Sequence, residues 1–289
     1  MGQIYVEGDA GAGMTAEDIA HLRIIAVAVF VAVGSSMIRS GDGRTNRYDV
    51  EAGNNTYDNA VIENSKISEK NKIQNNQSML DDIMNSTQYP KQLKDLALKN
   101  EEALEFVYDY PAEHVKEHTI DLTEEASMDS VPLFVQWDKR WGYEKYSGNF
   151  FAASGCGPTT LSMVVVYLTH NREASPIAVA KYSKEAGYSV DGSGSSWTLI
   201  SEGCIHYGVK AKAVALDESR MKAELDEGHP IVVNVGPGDF TDTGHFMVIT
   251  GYDDEGFSIN DPNSIEKSGK RWLFKNISSQ IRAVWSMYV

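Results

Sequence analysis

The sequence predicts an α+β fold, with N-terminal helices packed on an antiparallel sheet and a membrane helix and tether ahead of them. Three observations carry that expectation. An apolar run lies near the N-terminus, from Ile24 to Val33. Helical periodicity dominates the middle of the chain. From Ile231 onward the apolar residues fall into short runs separated by Gly, Pro and Asp turns, as strands of an antiparallel sheet do.

Each element follows in order. Residues 1–40 form an N-terminal segment whose apolar stretch, about 22–38, has the length of a short membrane anchor or of a signal core. Ala32-Val33-Gly34 is a passable cleavage site, and no Cys follows to take a lipid. Arg39, Arg44 and Arg47 follow the run while only Arg23 precedes it. By the positive-inside rule this points the C-terminal side toward the cytoplasm. Residues 41–88 are poor in aromatics and rich in Asn, Ser, Gln and Lys. They are expected to form a disordered tether, because such a composition buries little apolar area.

Residues 89–130 are expected to be an amphipathic helical segment packing on the domain that follows. Leu93, Leu96, Ala97, Leu104 and Val107 fall at helical spacing, and Pro111 ends the pattern. Within 131–289, Thr159 to Thr169 reads as a buried helix. Ser196 to Tyr207 reads as a second, capped by Ser195 or Ser196, and Asp217 to Glu227 as a third, closed by Gly228 and Pro230. Strands are expected at Ile231–Val235, His245–Tyr252, Phe257–Ile259 and Ile281–Val289.

The chain has 289 residues and a net charge of −15. Residues 131–289 hold 15 Lys+Arg against 18 Asp+Glu, whereas residues 1–130 hold 11 against 23. The acidity therefore belongs mostly to the tether and the helix after it. It excludes a general nucleic-acid binder, which needs clustered cations. Two cysteines exclude a disulfide scaffold and a Cys-rich zinc module.

One of those cysteines sits in Ser154-Gly155-Cys156-Gly157-Pro158. Pro is suited to a first helical turn, so Cys156 is placed at the N-terminus of the Thr159 to Thr169 helix. Unpaired N–H groups and the helix dipole stabilise an anion there, which lowers a thiol pKa. The flanking glycines would let a substrate backbone approach. A thiolate nucleophile needs an acid–base partner, and His245, preceded by Gly244, opens an apolar strand. Asp261 ends the next strand, and a hairpin through Asp253-Asp254-Glu255-Gly256 would return it beside His245. Asn260 is the nearest rival, but strand alternation puts it on the other face. Gln136 could donate to an oxyanion beside the backbone N–H of Cys156.

The region resembles the papain-like superfamily, specifically cysteine peptidase family 39 and its stand-alone relatives, whose founding members are leader peptidase domains of bacteriocin exporters. The resemblance rests on the order Gln136, Cys156, His245, Asp261, on Gly-His-Phe at 244–246, on Asn-Asp-Pro-Asn at 260–263 and on Gly-Ser-Gly-Ser-Ser-Trp at 192–197. It covers about half of the chain. It implies a papain-like peptidase domain over 131–289, a Cys-His-Asp triad with a Gln oxyanion donor, no cofactor, and a peptide or protein substrate. Together with the tether it implies a membrane-anchored domain outside the cell, against the arginine asymmetry. Gly155, Trp197 and Gly244 are candidate substrate contacts, although Trp197 also suits packing under the second helix. Exporter ABC domains are absent from the sequence, so a leader-peptide substrate does not follow.

Rival readings remain at this level. Cys204 would block the nucleophile if it paired with Cys156. His114 to His118 fits an inverted zinc-peptidase motif, but amid charged residues it reads as a solvated face, and no metal is expected. The same machinery would serve a transpeptidase or a peptide-binding pseudo-peptidase.

Overall fold

Six strands form the main sheet of this protein in a computed structural model, which describes the backbone of residues 55–289 and side chains from residue 67. Contacts divide the chain into Met1–Asn59 and Ala60–Val289; apart from residues 55–59, which begin one helix, everything described below lies in the second unit. Its strands are β1 (Lys145–Tyr146), β2 (Asn149–Phe150), β3 (Ser189–Val190), β4 (Gly194–Ser195), β5 (Lys210–Ala213), β6 (Ile231–Val235), β7 (His245–Asp253), β8 (Gly256–Asn260), β9 (Arg271–Trp272) and β10 (Ile281–Tyr288). The main sheet runs β5-β10-β6-β7-β8-β9, antiparallel throughout. β1–β2 and β3–β4 are separate two-stranded hairpins.

The sheet is covered on both faces, which explains why β6 is buried at every position. On one face Val232, Phe246, Val248, Trp285 and Met287 pack with the helix Cys156–Thr169 and with Val179 and Ala180 of the helix Pro176–Glu185. On the other, Ile231, Val233, Met247 and Ile259 pack with Met221 of the helix Glu218–Asp226 and with Phe240. Alternate β6 residues thus serve opposite cores, as a period of two requires. Helix Cys156–Thr169 is apolar on all sides because it lies inside the molecule. Asp217 caps Glu218–Asp226 by accepting from the N–H of Arg220.

A third core belongs to a helical arm. It comprises the helices Lys91–Lys99, Leu104–Tyr108 and Tyr110–Glu113, with a 3-10 turn at Glu101–Ala103. Leu93, Leu96, Phe106 and Val107 pack there with Phe150 and Ala152. Phe106 stacks on Tyr143, with ring centroids 4.2 Å apart, and Tyr143 Oη donates to the carbonyl of Phe106 at 2.8 Å. Pro111 does not end the arm, because it occupies the first turn of Tyr110–Glu113, where no N–H is needed.

Two expectations change, and a third lies beyond what the structure describes. Residues 55–85 of the expected tether form one helix. The segment contains neither Gly nor Pro, and its last turns are anchored by Met79, Leu80 and the fully buried Ile83 in the core of the arm. Tertiary packing of one end supports a helix that composition alone would not. The expected helix Ser196–Tyr207 is broken at Glu202 into Thr198–Ser201 and a 3-10 segment, Gly203–Tyr207. Gly203 lies against Tyr188 and Leu199, too close for a side chain without a shift. The cap of the first piece is Trp197, with Ser196 Oγ accepting from Thr198 N at 3.3 Å. The apolar stretch 22–38 lies outside the described residues. Among the described residues no helix is long and apolar enough to cross a membrane.

Candidate active site

Cys156 is the first residue of the helix Cys156–Thr169, with Gly155 as its cap. Thr160 Oγ1 donates to the carbonyl of Phe246 at 3.1 Å, which ties that helix to the start of β7. His245 is the first residue of β7, paired with Val235 at the end of β6. Asn234 Nδ2 donates to the His245 carbonyl at 3.2 Å and holds its backbone. Asp261 follows β8 directly and is fully buried.

His245 Nε2 lies 2.7 Å from Asp261 Oδ1. A carboxylate only accepts, so Nε2 carries the proton and Nδ1 is the nitrogen left for Cys156. Burial pulls the His245 imidazole down, but the negative charge and hydrogen bond of Asp261, with the bond to Cys156, carry it well above its ordinary value. Burial pushes the Cys156 thiol up. The hydrogen bond and charge of His245, with backbone groups of Phe246 and Gly157, outweigh that and bring it below the ordinary thiol value. Each shift favours the charged form of its group beside the other. Cys204 is the opposite case: it is buried, unpaired and pushed up to about 11 by burial. Both cysteines are free thiols.

Gln136 is buried beside this pair. Its Nε2 donates one hydrogen to the carbonyl of Ala152 at 2.7 Å, and a second hydrogen remains. The opposite amide orientation would set oxygen against oxygen at Ala152. Gln136 Oε1 and Asp261 Oδ2 have no hydrogen-bond partner among the described residues.

Residues 260–264 connect these parts. Asn260 Nδ2 donates to the carbonyls of Val131 and Pro132 at 3.0 and 3.1 Å, which keeps it away from His245. The carbonyl of Pro262 accepts from Gln136 N at 2.7 Å. Asn263 N donates to Asp261 Oδ1 at 2.8 Å. The loop thereby sets the Asp and the Gln relative to each other.

A cleft of about 500 Å³ opens over the site, lined by Gln136, Cys156, Gly244 and His245. The arm contributes Gln92, Leu96 and Lys99 to one wall, and the loop 238–243 contributes another. Of the expected substrate contacts, Gly244 lines the cleft, and a Cβ built on it would find only the Val235 carbonyl oxygen, 4.0 Å away. Gly155 and Trp197 are not in the lining. The absence of a side chain at Gly155 serves packing, since a Cβ there would come within 2.6 Å of the Phe151 ring. Trp197 is half-exposed and meets Trp285 edge-on, 6.1 Å between ring centroids. The arm's wall was not legible beforehand, because nothing local links residues 92–99 to a cysteine about 60 positions away. The wall at 238–243 had a signal, the Gly236-Pro237-Gly238 turn just before Gly-His-Phe.

A sequence model of the Peptidase C39-like family matches residues 128–289. The chain belongs to that family. Solved structures of C39-like domains are similar to it over 55% of its length. One is the peptidase domain of Streptococcus ComA, a bifunctional ABC transporter involved in a quorum-sensing pathway, at 19% identity over 96% of that chain with a TM-score of 0.40. Another is a C39-like peptidase from Bacillus anthracis, at 18% identity over 95% of that chain with a TM-score of 0.35. No curated protein matches the chain. The C39-like match begins at residue 128, so the arm lies outside it.

Proposed function

We propose that the protein is a cysteine peptidase that hydrolyses peptide bonds, with residues 131–289 as its peptidase domain. The observation that carries this reading is the single line of groups from Cys156 at a helix N-terminus, through His245, to the buried Asp261. Family membership supports the same class.

In this mechanism the Cys156 thiolate attacks the carbonyl carbon of a peptide. The developing oxyanion receives the second Nε2 hydrogen of Gln136 and the backbone N–H of Cys156. His245, protonated at Nδ1, gives that proton to the departing amine as the C–N bond breaks, and a thioester remains on Cys156. Neutral His245 then takes a proton from water as the water oxygen attacks the thioester. Collapse releases the carboxylic acid and restores the thiolate, with His245 again protonated. Asp261 fixes the tautomer, because its bond to Nε2 directs Nδ1 at the thiol, and it stabilises the imidazolium.

Comparing wild type with Cys156→Ala on a peptide library tests the reading: cleavage by the wild type alone supports it, and equal cleavage or none by both refutes it. For location we propose a membrane anchor within residues 1–40 and a peptidase domain outside the cell. The apolar run supports the anchor. Protease digestion of residues 41–88 on intact cells is the check.

A further inference from the structure

The arm does more than bury apolar surface. Asn100 Nδ2 donates to the backbone carbonyl of Asn263 at 2.9 Å and to Asn263 Oδ1 at 3.1 Å. Its own Oδ1 accepts from Glu102 N at 3.0 Å, so the donor amide is oriented by the 3-10 turn it caps. Glu102 is half-buried, and both of its carboxylate oxygens are spent on the same loop. Oε1 accepts from Ser264 Oγ. Oε2 accepts from Ile265 N at 2.7 Å and from Glu266 N at 3.1 Å. These are the free N–H groups at the start of the short helix Ile265–Ser268.

That helix is in turn bonded to Asp261. Ser268 Oγ accepts from Asp261 N at 2.9 Å, and Ser264 N donates to the Asp261 carbonyl at 3.2 Å. Asn263 N donates to the same Oδ1 that holds His245. Two residues of the arm therefore grip both sides of the turn that sets the Asp261 carboxylate. A carboxylate bound to charge-assisted donors from fixed backbone has few other places to go.

We propose that Asn100 and Glu102 are positioning residues for Asp261, and through it for His245, so that the arm outside the matched family span completes the site. This rests on the peptidase reading above. Neither residue bonds to the thiol or the imidazole; Asn100 lies in the lining of the cleft and Glu102 does not. Their effect passes through the geometry of one hydrogen bond, and misplacement by about 1 Å can cost on the order of 100-fold in rate.

The test is the rate of Cys156 alkylation by iodoacetamide against pH, in the full chain, which needs no substrate. It is run for wild type, Glu102→Ala, Glu102→Gln, Asn100→Ala and Glu101→Ala, with a thermal melt of each. Glu101 accepts from Asn76 on the surface and serves as a neighbouring control. If the arm positions Asp261, the pH of half-maximal rate rises by about 1 in Glu102→Ala and Asn100→Ala. Glu102→Gln, which keeps an acceptor for the two backbone N–H groups, recovers part of that rise, and Glu101→Ala matches wild type. A wild type with a low half-maximal pH and unchanged Glu102→Ala and Asn100→Ala overturns the positioning role and leaves the peptidase reading standing. A wild type whose Cys156 behaves as a free thiol overturns both. If Glu102→Ala does not fold, Asn100→Ala, which removes only the bonds to Asn263 and a turn cap, decides the matter by the same shift.

Discussion

His245 Nε2 and Asp261 Oδ1 stand 2.7 Å apart with the carboxylate closed off from solvent. The bond leaves one ring nitrogen for Cys156 and favours the charged imidazole. Raising His245 and lowering Cys156 are the same event seen from two sides, because each ion stabilises the other.

The first prediction is a pH window for reactivity. The thiolate persists below the free-thiol value of about 8.5, and the imidazolium persists above the free-imidazole value of about 6.5. Alkylation of Cys156 should therefore rise at a lower pH than that of a small thiol. Cleavage should follow a bell whose acid limb belongs to Cys156 and whose basic limb belongs to His245. Cys204, held at about 11, should stay unlabelled in the folded protein and serves as the internal reference for mass spectrometry. Equal labelling of the two thiols contradicts the window.

Replacing Gln136 by Ala should lower kcat by roughly 10²–10³ with little change in KM, as expected for a donor engaged mainly in the transition state. Asp261→Asn should also lower kcat, because a neutral amide in that place no longer balances the charge of the imidazolium. Steady-state kinetics on one cleaved peptide checks both. An increase in KM alone for Gln136→Ala would assign that residue to substrate binding.

Gly155→Ala is expected to destabilise the fold. The added methyl would lie 2.6 Å from carbons of the Phe151 ring, and Phe151 is fully buried with no room to retreat. Overpacking of this kind costs about 1–3 kcal/mol. Urea denaturation should show the loss, and Gly155→Ala combined with Phe151→Leu should recover part of it.

Glu224 gives a pH prediction for stability. Lys212 and Ser286 lead in holding its carboxyl at about 2, with His229 adding to them against the burial that opposes. A depressed acid stabilises the folded state above its unfolded value, and that contribution is lost as pH falls through the folded value. Glu224→Gln should therefore be less stable than wild type near neutrality, by about 2 kcal/mol for a charged hydrogen-bonded group. The difference should shrink below pH 4 and vanish only below about pH 2. Denaturation curves across that range decide it, and a difference independent of pH would assign the loss to packing.

Local chemistry was readable where it was strong. Gly-Cys-Gly-Pro announced a helix beginning at a cysteine, and Cys156–Thr169 begins there. β6 was readable as a run of apolar residues, and β7 and β8 from the Asp-Glu-Gly turn between them. That hairpin is enough to bring His245 to Asp261. The broken helix at Glu202 was not readable, since Thr198 to Tyr207 is apolar enough to pass for one helix, and the close approach of Gly203 to Tyr188 and Leu199 is a tertiary contact. The helix Asn55–Asn85 was missed because its polar face hides three anchoring residues near its end. Asn100 and Glu102 were invisible, because their partners lie about 160 positions further along and an Asn or Glu carries no mark of such an engagement.

β10 lies between β5 and β6, two strands that precede it in the sequence. During synthesis those two emerge with no direct contact to make, and they wait until Ile281–Tyr288 enters the gap between them. The sheet that seats His245 can then close only late, once about 75 further residues have followed β5. Pairings of such wide separation fold slowly. Cys156 and His245 thus both emerge before β10 completes the sheet on which the imidazole is seated, so the proposed arming of the thiol follows both of them in time.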